Sequence, residues 1–267
     1  MRAATRRAAA VALAAALGAA APATGQEAAR GPDWDGVIEP LSGFAGQMSM
    51  VMESSAPDDM AITDTIRFEP WQMLGDLFRD DIVLLMRSGP TDWRVADAPD
   101  AGLEACDRQR GLTEEGRDAM RQLGALLVVN ELTPGAVRAA PWCRAQETYA
   151  ALERGMLQVD RDALDGMSVR TPMELAPVPD AAEAADVAAL RDLVLGWDGG
   201  DGDGPLLIVT EFPDIAALTR FHVYEGEMLI LDPRRDGRVL GYLRLASATP
   251  DPIHFDPSVV TATIPGQ

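Results

Sequence analysis

Polar side chains that could do chemistry follow three segments of the sequence whose patterns predict buried strands. Arg87 and Ser88 follow the first segment, Arg144 lies shortly after the second, and Glu211 follows the third. Arginine binds anionic oxygens through a planar fork of donors. Serine becomes a nucleophile only when a base removes its proton, and Glu211 is the base that this set offers. The four residues therefore predict a ligand pocket.

The elements that must position these residues alternate between strand and helix patterns. Continuous apolar strands between helices predict an α/β fold, a three-layer sandwich whose mainly parallel central sheet is covered on both faces. Ligands bind at the carboxyl ends of such strands. A helix is predicted to begin at the N-cap Thr113, with Met120, Leu123 and Leu127 on one apolar stripe. The other predicted elements are strands at 82–86, 135–140, 169–176 and 205–212, helices at 141–156 and about 181–195, and a closing hairpin of 227–232 and 238–246.

The N-terminal segment predicts export. Residues 1–25 combine early arginines, an alanine-rich apolar run and a small-x-small site at Ala21–Ala23, which is typical of a secretory signal peptide. The alternative is a membrane anchor, but the apolar run is short for that. With cleavage near Ala23 the protein is expected in the periplasm or outside the cell. Residues 26–66 are predicted to form a partly irregular arm, and 67–267 the α/β domain.

The charge of the chain excludes several classes of partner. The net charge is −19, and all 23 basic residues are arginine. Such a surface repels nucleic acid and anionic lipid. No segment after the first predicts a membrane span. Two histidines, His222 and His254, and two separated cysteines give no metal-site pattern, so no metal or cofactor is predicted.

Four motifs in order resemble the histidine phosphatase superfamily, which has the phosphoglycerate mutase-like fold. "LLMRSGPTDW" is similar to the Arg-His-Gly motif after the first strand of that family, and "GLTEEGRDAMRQLG" to its leucine-threonine helix start. "AAPWCRAQET" is similar to its serine-serine-x-x-x-Arg-Ala segment, with Ala139-Ala140 in place of the serines. "LLIVTEFPDI" is similar to the strand that carries its second histidine. The resemblance spans about residues 80–245.

The resemblance implies which parts of the family's chemistry remain. The family uses a histidine nucleophile, which forms a phosphohistidine, and two arginines with a second histidine hold the phosphoryl oxygens. Arg87 and Arg144 match the arginines. Ser88 stands at the nucleophile and Glu211 at the second histidine. The resemblance thus implies a catalytic centre without its histidines.

Glu211 changes which ligand the pocket should accept. A phosphate dianion beside a carboxylate costs on the order of 4 kcal/mol per charge pair at close range near a surface. We expect Glu211 to pair with one or both arginines and to leave room for a neutral or cationic ligand, or for none. Two explanations remain open for the substitutions at 88, 211 and 139–140. Selection for another ligand is one, and drift after loss of the nucleophile is the other.

Further candidate residues come from the loops. Glu174 matches the family's leaving-group acid by its order along the chain, and a solvated loop acid is the alternative. Trp93 and Asp107 lie in the long loop 88–112, either lining the pocket or on its rim. Cys106 and Cys143 are expected at the same edge of the sheet, so in an oxidising compartment they could form a disulfide or remain free thiols.

Three functions follow from these patterns. The first is a pseudophosphatase that acts as a binding or scaffold module for a small molecule or a protein. The second is a hydrolase that cleaves a phosphoester by a non-standard route, for instance an envelope sugar phosphate. The third is a structural protein that binds a partner through the arm 26–66.

Overall fold

A computed structural model describes residues 46–48, 62–70, 74–176, 187–200 and 204–252. These residues form an eight-stranded sheet and four α-helices around one hydrophobic core. The strands are β1 (Gly46–Met48), β2 (Ile66–Pro70), β3 (Val83–Arg87), β4 (Ala136–Ala139), β5 (Ser168–Arg170), β6 (Leu206–Thr210), β7 (Met228–Asp232) and β8 (Arg238–Leu245). The helices are α1 (Glu114–Val129), α2 (Cys143–Val159), α3 (Ala188–Leu195) and α4 (Phe212–Thr219).

The sheet has a parallel half and an antiparallel half. Its strand order is β1-β2-β8-β7-β3-β6-β4-β5. Strands β3, β6, β4 and β5 run parallel, whereas β7 pairs with β3 in the antiparallel sense and is followed by β8, β2 and β1. The predicted α/β fold class is confirmed. The parallel half carries the predicted site, and the antiparallel half extends the sheet beyond it.

Both faces of the central strands are covered. Every residue of β3, β4, β6 and β7 is buried. Because successive side chains of a strand point to opposite faces, burial of all of them requires a layer on each side. This explains why β3, β6 and β7 begin in the sequence as runs of four apolar residues and not as alternating patterns.

Helix α1 begins as its N-cap predicts. The Thr113 side chain accepts a hydrogen bond from the backbone N–H of Gly116 at 2.9 Å, and Glu114 and Glu115 occupy the first turn, where a negative charge is favourable. The predicted strand at 82–86 and the closing hairpin are also present, as β3 and as β7 with β8.

Two predicted strands end earlier than expected. The strand predicted at 205–212 ends at Thr210, because α4 begins at Phe212 with Pro213 in its first turn. The strand predicted at 169–176 is the short β5, and the 3-10 turn Met173–Leu175 follows it. A short apolar stretch does not by itself distinguish a strand end from a helix start.

Part of the predicted arm belongs to the sheet. Strand β1 lies within residues 26–66 and pairs with β2, which in turn pairs with β8. The predicted signal peptide, residues 181–186 and His254 lie outside the described residues. No helix in the described part of the chain is long and apolar enough to cross a membrane.

Candidate functional site

The carboxyl ends of β3, β6 and β4 lie side by side. Arg87 is the register partner of Thr210, and the backbone N–H of Ser88 donates to the Thr210 carbonyl at 3.1 Å. On the other side of β6, the backbone N–H of Ala140 donates to the Val209 carbonyl. Helix α2 begins three residues after Ala140, which places Arg144 in its first turn, at the same edge of the sheet.

Glu211 contacts two of the predicted site residues at once. The Ser88 hydroxyl donates to Glu211 Oε1 at 3.0 Å, and Arg144 Nε donates to Glu211 Oε2 at 2.7 Å. All three side chains are buried. A charge-assisted hydrogen bond of this length is among the stronger polar contacts in proteins. One of the donors of Arg144 is therefore already used by a carboxylate of the protein itself.

Arg87 is also engaged by groups of the protein itself. Its Nη1 donates to the Val223 carbonyl at 2.8 Å and to Asp251 Oδ2 at 2.7 Å. Its Nη2 lies 3.8 Å from Glu225 Oε1, and the guanidinium lies 5.2 Å from the ring centre of Phe212. Since Arg87 is 3% exposed, these contacts satisfy a cation that would otherwise be buried alone.

Asp97 is the second carboxylate on Arg144. Arg144 Nη1 donates to both oxygens of Asp97, at 3.0 and 2.8 Å. Burial acts to lower the pKa of Arg144, but the charges of Glu211 and Asp97 outweigh it and raise that pKa. Burial acts to raise the pKa of Asp97, but the backbone N–H of Arg110 and the charge of Arg144 outweigh it and lower that pKa. Arg144 is thus held between two carboxylates.

Glu225 is a buried carboxylate on the other side of the site. It accepts hydrogen bonds from the Thr91 hydroxyl, from the Thr91 backbone N–H at 3.2 Å and from Trp93 Nε1 at 3.2 Å. Burial raises its pKa, although these donors and the charge of Arg87 oppose the rise. Glu225, Asp251 and Trp93 line a cavity of about 410 Å³, whose other walls include Glu115 and Met120 of α1.

Arg110 brings a third guanidinium to the site. Its guanidinium carbon lies 3.8 Å from the ring centre of Trp93, and its backbone N–H donates to Asp97 Oδ1 at 2.6 Å. The Nε of Arg110 is buried and has no hydrogen-bond partner among the described residues. Burial, and then the charge of Arg144, lower its pKa, whereas the charges of Glu225, Asp97 and Glu211 act in the opposite direction.

The loop that carries Trp93, Asp97 and Arg110 is tied to α2. A disulfide joins Cys106 to Cys143 at the start of that helix. The side chain of Gln109 accepts from the Cys143 backbone N–H at 3.1 Å and donates to the carbonyls of Gly102 and Leu103. These links fix the loop beside Arg144 and so place its charged side chains at the site.

The structure brings most, but not all, of the predicted residues together. Ser88, Arg144 and Glu211 are joined by direct hydrogen bonds. Arg87 precedes Ser88 at the end of β3 and pairs with Asp251, and Trp93 donates to Glu225, which lies 3.8 Å from Arg87. Asp107 lies exposed in the 3-10 turn Cys106–Arg108. Glu174 is exposed and follows β5, an edge strand of the sheet. It lines a groove together with Arg138 and Arg170. Within the described residues neither Asp107 nor Glu174 contacts the four site residues.

His222 lies near the site and not in it. Its ring packs edge to face against Phe212, with 5.2 Å between the ring centres, and Phe212 in turn lies beside Arg87. In the described part of the chain no group of histidine, cysteine and acidic side chains is arranged to hold a metal ion. The polar groups that meet at the site are guanidinium groups, carboxylates and the Ser88 hydroxyl.

Four charged residues of the site escaped the sequence reasoning: Asp97, Arg110, Glu225 and Asp251. Asp97 and Arg110 lie in the loop 88–112, whose length is a signal of function that points to no particular residue. Glu225 and Asp251 lie far along the chain from Arg87 and belong to no motif. Their contact with Arg87 exists only in the folded protein.

Comparisons with known proteins concern the fold. No protein-family model and no curated protein matches the chain. It is similar to the solved structure of the protein histidine phosphatase SixA complexed with tungstate, at 21% identity and a TM-score of 0.42, over 61% of this chain and 96% of that one. It is also similar to mycobacterial glucosyl-3-phosphoglycerate phosphatase, at 18% identity and a TM-score of 0.39 over 62% and 96%, and to mycobacterial hydrolase 2, at 17% and 0.39 over 68% and 95%. All three identities lie below 25% and all three TM-scores below 0.5.

Proposed function

We propose that this chain is an exported, histidine phosphatase-like binding module whose phosphatase centre is disabled. The observation that carries the proposal is the pair of contacts made by Glu211. One oxygen accepts from Ser88 and the other from Arg144. Glu211, at the position of the family's second histidine, therefore accepts hydrogen bonds from Ser88, at the nucleophile position, and from Arg144, one of the two arginines.

The state of Arg87 supports the same proposal. Its Nη1 is paired with Asp251, and Glu225 lies near its Nη2. A phosphate dianion entering this site would meet Glu211, Glu225 and Asp251, at a cost on the order of 4 kcal/mol per charge pair at close range near a surface. Arg87 and Arg144 would have to leave internal carboxylates before they could hold it.

A phosphatase assay tests this proposal. Purified protein without the leader should release no p-nitrophenol from p-nitrophenyl phosphate above a heat-killed control. The matched variant is Arg87→Ala, because it removes an anion-holding side chain that any phosphoester chemistry at this site would use. Turnover by the wild type that disappears in Arg87→Ala would show that the centre is active.

One contact favours a second candidate, a serine-dependent phosphoester hydrolase. Ser88 donates to a carboxylate, as a serine nucleophile does to its base. Ser88 Oγ would attack phosphorus while its proton passes to Glu211 and the ester oxygen leaves, and water would then have to cleave the phosphoserine. The ion pair with Arg144 opposes this role, since it stabilises the carboxylate that would take the proton. Turnover that survives in Ser88→Ala would exclude the serine route.

A further inference from the structure

A cavity of about 410 Å³ lies where the loop after β3, the first turns of α1 and the segment after β8 meet. Its volume is within the range of small-molecule pockets, whose walls are mostly apolar. The apolar residues of this wall include Pro90, Trp93, Ala119, Met120, Leu245 and Ala248. The cavity can therefore hold the body of an organic molecule.

Within the described part of the chain, the charged residues of the cavity wall are all acidic: Glu115, Glu225 and Asp251. Glu225 and Asp251 are buried, whereas Glu115 is exposed on the first turn of α1. The two buried carboxylates share one guanidinium, because Arg87 Nη1 donates to Asp251 Oδ2 at 2.7 Å and Arg87 Nη2 lies 3.8 Å from Glu225 Oε1. One guanidinium balances one carboxylate, so this part of the cavity keeps a negative charge in excess.

The excess charge falls on Glu225. Asp251 accepts a short hydrogen bond from Arg87, whereas 3.8 Å is too long for such a bond to Glu225. The three hydrogen bonds that Glu225 accepts come from neutral donors, namely the hydroxyl and backbone N–H of Thr91 and Nε1 of Trp93. A carboxylate has about four acceptor positions, so one is left for a further donor. Because buried charges are normally paired, Glu225 calls for a cation.

The walls and the charge together discriminate between classes of ligand. An anion would meet three carboxylates in this cavity. A bare metal ion needs several ligand atoms around one point, and in the described residues no group of side chains is arranged in that way. A neutral apolar molecule would fit the walls and leave Glu225 without a cation. An organic cation satisfies both, since its charged group can face Glu225 while its apolar body contacts the wall.

We propose that this cavity binds a small primary amine, with its ammonium group facing Glu225 and its apolar body against Met120 and Trp93. The inference rests on the proposed function, because it takes the protein to be a binding module and names the class of ligand that the module binds. The lining residues do not include Ser88 or Arg144. Binding of the amine therefore leaves the contacts of Glu211 in place.

The experiment compares ligands that share an apolar body and differ in charge, by thermal shift and isothermal titration on the wild-type protein. One set is phenethylamine, phenethyl alcohol and hydrocinnamate, and the other is hexylamine, hexanol and heptanoate. Each set contains a cation, a neutral molecule and an anion. We expect at least one amine to raise the melting temperature, its alcohol to bind about tenfold or more weakly, and its carboxylate not to bind.

Variants assign the two parts of the ligand. Glu225→Gln keeps an acceptor for Thr91 and Trp93 but removes the charge, so it should bind the amine no better than the alcohol. Ala119→Phe fills the cavity without changing a charge and should weaken both ligands. The matched control is Glu104→Gln, which removes an exposed acid outside the cavity and should bind the amine as the wild type does. The melting temperature of each free variant shows that it is folded.

Several results would overturn the inference. These are the absence of binding by both amines, equal binding of an amine and its alcohol, a folded Glu225→Gln protein that still prefers the amine, or full binding by Ala119→Phe. The same preparations are assayed with p-nitrophenyl phosphate. Turnover by the wild type that is lost in Arg87→Ala would contradict the proposed function itself, whereas no turnover together with no amine binding contradicts only the amine site.

Discussion

At the scale of single residues, Glu211 decides what the end of β6 can do. A histidine there could donate to a phosphoryl oxygen, whereas a carboxylate can only accept. Glu211 accordingly accepts from Ser88 and from Arg144, and the three side chains satisfy one another in a buried place. Removal of the Glu211 carboxylate would leave the Ser88 hydroxyl and Arg144 Nε without this acceptor, while Arg144 would keep its contact with Asp97.

The first prediction concerns the replacement of Ser88 and Glu211 by histidine. Ser88→His restores a nucleophile, and Glu211→His removes the anion that opposes phosphate. We expect neither single variant to form phosphoenzyme and the double variant to do so at least in part. The effect is strongly non-additive because the groups act as a unit. Single-turnover labelling measures the phosphoenzyme, and thermal shift with vanadate measures binding, since a ligand that binds only the folded state raises the melting temperature.

The wild type is the control for the vanadate shift. If it is stabilised by vanadate as strongly as the double variant, then Arg87, Arg110 and Arg144 outweigh Glu211 and our account of this residue is wrong. If the double variant neither binds vanadate nor is labelled, the contacts of Arg87 with Asp251 and Glu225 block the site independently of positions 88 and 211.

A second prediction concerns Asp214, a buried acid in the first turn of α4. Burial raises its pKa, the hydrogen bond from Thr210 Oγ1 opposes the rise, and the charge of Glu211 adds to it. The folded protein therefore holds this proton more firmly than the unfolded chain does, and the ionised form costs stability at neutral pH. Asp214→Asn should be more stable than the wild type at neutral pH, because the amide oxygen can still accept from Thr210.

The difference between the two proteins should shrink as the pH falls through the folded pKa of Asp214, because the wild type then becomes neutral at this position as well. Thermal unfolding of both proteins from neutral pH down to about pH 4, the ordinary range of carboxyl groups, measures it. Two results would contradict the assignment of the lost stability to the charge of Asp214. One is an Asp214→Asn protein that is less stable than the wild type at neutral pH, and the other is a gain in stability that does not depend on pH.

At the scale of elements, the packing of α1 against α2 sets the position of Arg144. The helices approach closely where two glycines face the opposite backbone. A Cβ on Gly124 would lie 2.1 Å from the Leu152 carbonyl oxygen, and one on Gly155 would lie 1.8 Å from that of Arg121. Neither space can hold a methyl group. Since the first turn of α2 carries Arg144, the close approach of the helices also fixes the site.

The third prediction tests this approach. Gly155→Ala should destabilise the protein by a net amount of about 1–3 kcal/mol, because the helices must move apart, even though alanine is the better helix former by about 1 kcal/mol. The matched control is Gly102→Ala, where a Cβ would meet nothing within 4 Å. Urea unfolding measures both variants. Equal stabilities would show that the helices pack less tightly than their backbone positions indicate.

At the scale of the whole molecule, the proposed export bears on the charge of the chain and on its disulfide. A net charge of −19 predicts repulsion from nucleic acid and anionic membranes, and cleavage near Ala23 would remove three arginines. The bridge between Cys106 and Cys143 joins the loop that carries Trp93 and Arg110 to α2. In an oxidising compartment this bridge would hold the two sides of the site together.

The fourth prediction follows from the proposed export. Protein recovered from the periplasm should begin after Ala23 and contain no reactive thiol when it is denatured without reductant. Reduction should lower the free energy of unfolding by about 4 kcal/mol, the chain-entropy value for a bridge that spans 37 residues. Intact mass, thiol titration and urea unfolding measure the three effects. Two reactive thiols per chain would reject the bridge in the exported protein, and a Cys106→Ser/Cys143→Ser protein should not respond to reductant.

The sequence by itself determined the elements and the centre of the site. Continuous apolar runs predict strands that are buried on both faces, and the N-cap Thr113 marks the start of α1. The ends of neighbouring parallel strands lie at one edge of a sheet, which is why the sequence predicts Arg87, Ser88, Arg144 and Glu211 at the same edge. These inferences succeed because local periodicity and strand order carry the information.

Only the tertiary structure decided what surrounds that centre. Asp251 reaches Arg87 across 164 positions of the chain, and Glu225 reaches Thr91 across 134. Loop residues have no periodicity that reports such contacts, so their partners depend on how the sheet and helices bring the loops together. Glu174 has the position along the chain that the resemblance gives to a leaving-group acid, but it lies in an exposed groove. Arg110 belongs to no motif, but it stacks on Trp93 beside the site.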